Sequence, residues 1–210
     1  WLKKRPAGHD PRQTILRRII FHMNTFYLQL VNADNPVRMV PESDALLPAH
    51  PSCPDILLER RAALALGALL TRLRAFRSIV LVSGMRTMAE QQAIWDSSMK
   101  EHGEDYTRKF VALPGCSEHQ TGLAVDLAEN RPDIDFICPK FPDTGIFREF
   151  RLLAPDYGFI QRYPAGKETV TGIAWEPWHF RYVGTPHARI ITEQGMVLEE
   201  YLRQAEKAAS

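Results

Sequence analysis

Cysteine is scarce in this chain, long apolar runs are missing and net charge is almost nil, and each of these removes a class of protein. Three cysteines in 210 residues, Cys53, Cys116 and Cys138, are an odd number for a disulfide framework. No Cys-x-x-Cys pair is present to build a thiolate metal site or a redox motif, so a reducing compartment is the simplest expectation. The longest nearly apolar run, Ala62 to Leu70, falls far short of the roughly 20 residues that a bilayer crossing needs. Residues 14–21 have amphipathic character, but arginines interrupt them and no small-residue cleavage site follows, unlike a signal peptide. A cytoplasmic location is expected on these grounds, with the start at Trp1 leaving an upstream signal or anchor open. Lys plus Arg number 26 and Asp plus Glu 25, which excludes a global field that would make nucleic acid or anionic lipid the main partner. Internal repeats and low-complexity tracts are also lacking.

What is present suits one globular domain: 45% of residues are apolar and 24% charged. Charge is unevenly spread. Residues 1–22 carry six Lys and Arg against Asp10 alone, leaving the remainder mildly acidic with 20 positive against 24 negative. The division expected is a basic N-terminal extension over 1–22 and a domain over 23–210. Phe26 to Val31 reads as a first strand, and five prolines between 36 and 54 predict a loop over 35–54. Asp55 to Phe76 reads as the strongest helix, with a sheet to cover. Ser78 to Val82 is expected as a buried strand, and Thr87 as the cap of a helix running to about Glu101. Residues 111–117 read as a loop, and strands are expected at 123–127, 158–160 and 178–183. Helices are expected at 145–154 and near 197–207. Mixed order with short connections predicts an α+β fold, with helices packed on a central, largely antiparallel sheet.

The chemistry concentrates in two stretches. In Ser117-Glu118-His119-Gln120-Thr121-Gly122-Leu123-Ala124-Val125-Asp126, full extension would hold His119 and Asp126 roughly 23 Å apart, so they meet only if the chain turns. Gly122 permits a turn, since glycine takes positive φ without steric cost. Asp126 lies in an apolar strand, where a lone carboxylate is expensive to bury, and it needs a cation or several donors. A hydrogen-bonded structural pair satisfies these two residues as well as a metal does. The second stretch, Trp175-Glu176-Pro177-Trp178-His179-Phe180-Arg181-Tyr182, adds weight to the metal. Pro177 forces Glu176 toward extended backbone, and the alternation sets His179 on one face of a strand. Two histidines and one carboxylate leave a position of a tetrahedral zinc open, and a neighbouring glutamate supplies a base for the bound water. Trp175, Trp178 and Phe180 read as core. A serine hydrolase built on Ser117, His119 and Asp126 lacks a Gly-x-Ser-x-Gly elbow, and Cys116 has no dedicated base.

Three motifs in order, Ser83-Gly84-Met85-Arg86-Thr87, Ser-x-His-x-x-Gly-x-Ala-x-Asp at 117–126 and Glu-x-x-His at 176–179, resemble those of the zinc D-alanyl-D-alanine carboxypeptidases and dipeptidases. That family includes the VanY, VanX and VanXY enzymes, and the resemblance runs from about Asn24 to Tyr201. It implies a hedgehog-like peptidase fold and one zinc ion held by His119, Asp126 and His179. It also implies Glu176 as the base that deprotonates water and then protonates the leaving amine, and Arg86 beside the scissile carbonyl, where a fixed cation offsets developing charge. Ser117 and Gln91 match positions that hold the substrate backbone or its terminal carboxylate, although Ser117 as a loop cap and Gln91 as a solvated helix residue fit the sequence equally. Met85 stands where relatives often carry an aromatic residue. The partner implied is D-Ala-D-Ala, free or at the end of a muropeptide precursor, in the manner of the VanXY type. The shared motifs also admit an L,D-carboxypeptidase, a peptidoglycan endopeptidase or, more distantly, a non-catalytic zinc-binding module.

Overall fold

The computed structural model describes residues 26–209; the basic 1–22 segment, with residues 23–25 and Ser210, lies outside the described residues. Two antiparallel sheets carry the strands. A hairpin pairs β1 (Leu46–His50) with β2 (Cys53–Glu59), Leu46 opposite Glu59. The larger sheet has the order β3-β4-β6-β5, from β3 (Ile79–Ser83), β4 (Ala124–Glu129), β5 (Phe159–Tyr163) and β6 (Glu176–Tyr182), with every neighbouring pair antiparallel. The expected α+β architecture is the one observed.

One face of the larger sheet is apolar because its residues alternate with those of the other face. Val125 and Leu127 of β4, Phe159 of β5 and Phe180 of β6 point into a core shared with α1 (Arg60–Leu73) and α4 (Gly145–Leu153). From α1, Ala62, Ala63, Leu66, Leu69 and Leu70 are buried, the stripe expected of a helix that covers other elements. A second cluster joins Ile160 and Val183 to α5 (His187–Glu193) and α6 (Leu198–Ala209) through Ala188, Ile191, Leu198 and Tyr201.

Three expectations are corrected. Residues 26–31 form turns and irregular chain ending near an isolated bridge between Asn32 and Asn35, so the β-branched and aromatic residues there pack without joining a sheet. The proline-rich 35–54 segment contains β1, with Pro48 in it; a strand in a two-stranded sheet has a free edge where the missing donor costs nothing. The helix expected over 55–76 begins at Arg60, because 53–59 is β2. Its start is set by Glu59, whose carboxylate accepts from the N–H groups of Arg61 and Ala62. The Thr87 cap is as expected, and reciprocal: Thr87 and Glu90 form a capping box that opens α2 (Met88–His102), followed by α3 (Glu104–Phe110).

Candidate metal centre and active site

Strand pairing sets Asp126 of β4 directly opposite His179 of β6, so both side chains rise from the same face. His119 arrives from a 3₁₀ turn over Glu118–Thr121 that the chain leaves through Gly122, at φ +66°. A Cβ there would lie 3.1 Å from the Glu59 nitrogen in a backbone conformation L-residues avoid, which is the turn the sequence required between His119 and Asp126. Gly84 is needed for space, because a Cβ on it would collide with the Leu57 carbonyl. Its own carbonyl receives His119 Nδ1 at 2.6 Å. A carbonyl only accepts, so Nδ1 carries the proton and Nε2 is left as the donor atom.

His119 Nε2 lies 3.0 Å from Asp126 Oδ2, and His179 Nδ1 lies 3.0 Å from Asp126 Oδ1. One ligand atom from each of His119, Asp126 and His179 falls within 4.8 Å of the others, and all three residues are buried. A tetrahedral ion bound at 2.0–2.2 Å would set such atoms about 3.4 Å apart, so two imidazole nitrogens and a carboxylate oxygen fit one zinc ion with a position left over. Their protonation suits it. Burial and the Arg86 cation push His119 down to about 4, which keeps it neutral. Burial opposes ionisation of Asp126, but both histidines outweigh it and its carboxyl lies well below the ordinary value. Burial also opposes charge on His179, yet hydrogen bonds to Asp126 and Glu118 raise it to about 9, so a cation would displace a proton there.

Glu176 is 5% exposed and reaches no hydrogen-bond donor among the described residues, its nearest ionic neighbour being His179 Nδ1 at 3.8 Å. Burial lifts its carboxyl to about 8. It lies three positions before His179, a spacing that regular pleating would turn to the opposite face. The register shifts there, four positions of β6 from Glu176 to Phe180 standing against two of β5 from Gln161 to Tyr163, so regular pleating is broken at the start of β6, and Glu176 lies beside His179.

Arg86 is held at all three guanidinium nitrogens. Nε donates to Ser83 Oγ at 2.9 Å, Nη1 to Gln91 Oε1 at 2.9 Å and Nη2 to Asp126 Oδ2 at 3.0 Å. Gln91 is fully buried, which removes the solvated alternative; its amide nitrogen donates to the Ala112 carbonyl and it stays behind Arg86, off the cleft wall. Ser117 lines the cleft and makes no capping bond to the turn that follows it. The cleft, about 520 Å³, is lined by Arg86, Ser117, His119, Asp126, Glu176 and His179. Ile94, Phe110, Ile137 and Ile173 add apolar lining. Trp178 and Phe180 are core as expected, but Trp175, which precedes β6, is 51% exposed.

Sequence reasoning missed a buried ionic cluster behind the centre. Glu118 Oε1 accepts from Arg162 Nε and Arg181 Nη1, both at 2.8 Å, and its Oε2 lies 3.3 Å from His179 Nε2. Arg162 in turn donates to both oxygens of Glu199, at 2.9 and 2.6 Å. Burial disfavours a charged Glu118, but the two arginines overcome it and hold its carboxyl far below the usual range. An arginine inside each of two apolar strands was the signal available, since a buried cation requires an opposite charge.

A family model described as "VanY: D-alanyl-D-alanine carboxypeptidase" matches residues 55–185. The bifunctional D-Ala-D-Ala dipeptidase and D-Ala-D-Ala carboxypeptidase VanXYC of Enterococcus gallinarum is 46% identical over 180 residues, covering 85% of this chain and 94% of that protein. Among solved structures, the vancomycin-resistance D,D-dipeptidase VanXYg in complex with a D-Ala-D-Ala phosphinate analogue is 54% identical, with a TM-score of 0.81 over 84% of this chain and 70% of that one. A variant of the D,D-pentapeptidase VanY from a VanB-type resistance cassette, in complex with Zn(II), is 32% identical, with a TM-score of 0.67 over 84% of this chain and 99% of that one.

Proposed function

The chain belongs to the VanY family of D-alanyl-D-alanine carboxypeptidases, and from that premise we propose that it hydrolyses the D-Ala-D-Ala amide, both in the free dipeptide and at the end of a muropeptide precursor. The observation that carries this reading is the convergence, in one cleft, of a His119–Asp126–His179 cluster, a buried carboxylate without a donor at Glu176 and a fully braced cation at Arg86. His119 Nε2, an oxygen of Asp126 and His179 Nδ1 would hold one zinc ion, which when bound supplies Lewis acidity to the scissile carbonyl and to the attacking water.

The remaining work falls to the chain's own groups. Glu176 takes the proton of the attacking water on its carboxylate and returns it to the leaving amine nitrogen, the two-way transfer expected of a single acid–base residue. Arg86 faces the carbonyl oxygen as negative charge develops there; because Ser83, Gln91 and Asp126 already fix its plane, little reorganisation is needed. Ser117, which lines the cleft, holds the backbone or terminal carboxylate of the substrate, and Gln91 contributes by holding Arg86. Action in the cytoplasm is part of the same proposal.

Zinc-loaded protein assayed on D-Ala-D-Ala, a D-Ala-D-Ala-terminated pentapeptide, a tetrapeptide and L-Ala-L-Ala tests it. Hydrolysis of the first two is expected, with L-Ala-L-Ala strongly disfavoured, because the wrong chirality misplaces a methyl or leaves a buried polar group unpaired at about 1–3 kcal/mol. Activity confined to the tetrapeptide would transfer the protein to L,D-carboxypeptidase chemistry.

A further inference from the structure

Two histidines at the centre are held in different ways. His119 Nδ1 rests on a neutral carbonyl, that of Gly84 at 2.6 Å, whereas His179 Nε2 faces a carboxylate oxygen of Glu118 at 3.3 Å. That carboxylate is itself fixed. It is fully buried at the side chain, and its other oxygen is clamped by Arg162 and Arg181, leaving Oε2 alone for the imidazole. Arg181 is anchored further by donating to the Tyr27 and Gln29 carbonyls, and Tyr163 packs its ring 4.9 Å from that of His179.

Resting on the zinc reading above, the geometry points to Glu118 as a positioning residue of the metal centre: its Oε2 fixes the ring plane and tautomer of His179, so that Nδ1 is presented to the ion, and Arg162 and Arg181 keep that carboxylate charged and in place. A carboxylate behind a ligating imidazole also makes the ring a stronger donor than a carbonyl does, and loss of such a partner costs about 10–100-fold in metal affinity. Glu118 touches no substrate in this account. It acts through His179.

Glu199 supplies the control, because it shares the ionic cluster through Arg162 but has no contact with either histidine. Zinc affinity by chelator competition, the visible absorption of the Co(II)-substituted protein and the melting temperature of the metal-free protein are measured for wild type, Glu118→Gln and Glu199→Gln. Glu118→Gln is expected to weaken zinc by about 10–100-fold and to shift the Co(II) bands. Glu199→Gln is expected to lower the melting temperature while leaving zinc affinity and the Co(II) bands at wild-type values. Equal loss of zinc affinity in both variants, or a Glu118→Gln protein that binds zinc with wild-type affinity and spectrum, would overturn the proposal by reducing the cluster to a structural brace. If Glu118→Gln does not fold, Glu118→Asp takes its place under the same criteria, since it keeps the charge between the arginines while drawing the carboxylate back from His179. A wild-type protein that takes up no zinc would remove the centre itself, and with it the family reading of these residues, whereas normal uptake with unaltered variants removes only the role of Glu118.

Discussion

At the scale of single residues, Glu176 is the group whose surroundings fit one task. It is buried, lacks a donor among the described residues and is shifted upward mainly by burial, the environment of a carboxyl that must exchange a proton. Glu176→Gln keeps its shape and is not a member of the ligand cluster, so zinc content should remain at wild-type stoichiometry while turnover falls roughly 10²–10⁴-fold. Metal analysis alongside steady-state kinetics checks this, and wild-type turnover in the variant would take Glu176 out of the mechanism. The residues that gather in the cleft were the most legible part of the sequence, because His119, Asp126, His179, Glu176 and Arg86 sit in short motifs whose spacing survives any uncertainty about elements. Glu118 was not legible, although it lies inside one of those motifs. Its partners Arg162 and Arg181 are 44 and 63 positions away, and no local rule pairs residues so far apart.

At the scale of elements, legibility followed the strength of local signals. Thr87 announced the start of α2, and the alternation after Pro177 announced β6. The 53–59 segment failed the same test: Ile56, Leu57 and Leu58 run into the apolar helix without a breaking residue, and only pairing with β1 makes them a strand. Pro48 in β1 misled in the other direction, since the rule against proline in strands relaxes at an edge. The element most exposed to a single change is the 3₁₀ turn carrying His119. Gly122→Ala should destabilise the fold by about 1–2 kcal/mol, the usual cost of a left-handed L-residue, with further strain from the Glu59 nitrogen. Because that turn delivers His119, zinc affinity should fall together with the denaturation midpoint. A variant with unchanged affinity and midpoint would show that the turn tolerates a Cβ.

Across the whole molecule, the buried centre makes the stability of the metal-free protein depend on pH. Glu176, raised from 4.5 to about 8 by burial, and His179, raised from 6.5 to about 9 by Asp126 and Glu118, both hold protons more tightly when folded. Each therefore contributes stability at low pH that is lost as pH rises through its folded value. His119, lowered by burial to about 4, has the opposite sign, but its contribution is complete by about 6.5, below which it offsets Glu176. Chelator-treated protein should therefore melt at lower temperature at pH 9 than at pH 6.5, and zinc should flatten the difference by taking the place of the His179 proton. A melting temperature that rises over this interval would contradict the assignment. The pairing of β4 with β6 carries one more consequence. His119 and Asp126 are brought together by a local turn, but Asp126 and His179, 53 positions apart, meet only when these strands align. A slip of one residue would turn His179 to the opposite face. With the proposed ligands, metal capture would thus work as a checksum on the long-range topology: a chain folded in the wrong register would present two of the three clustered residues, and the ion itself would distinguish it from the native one.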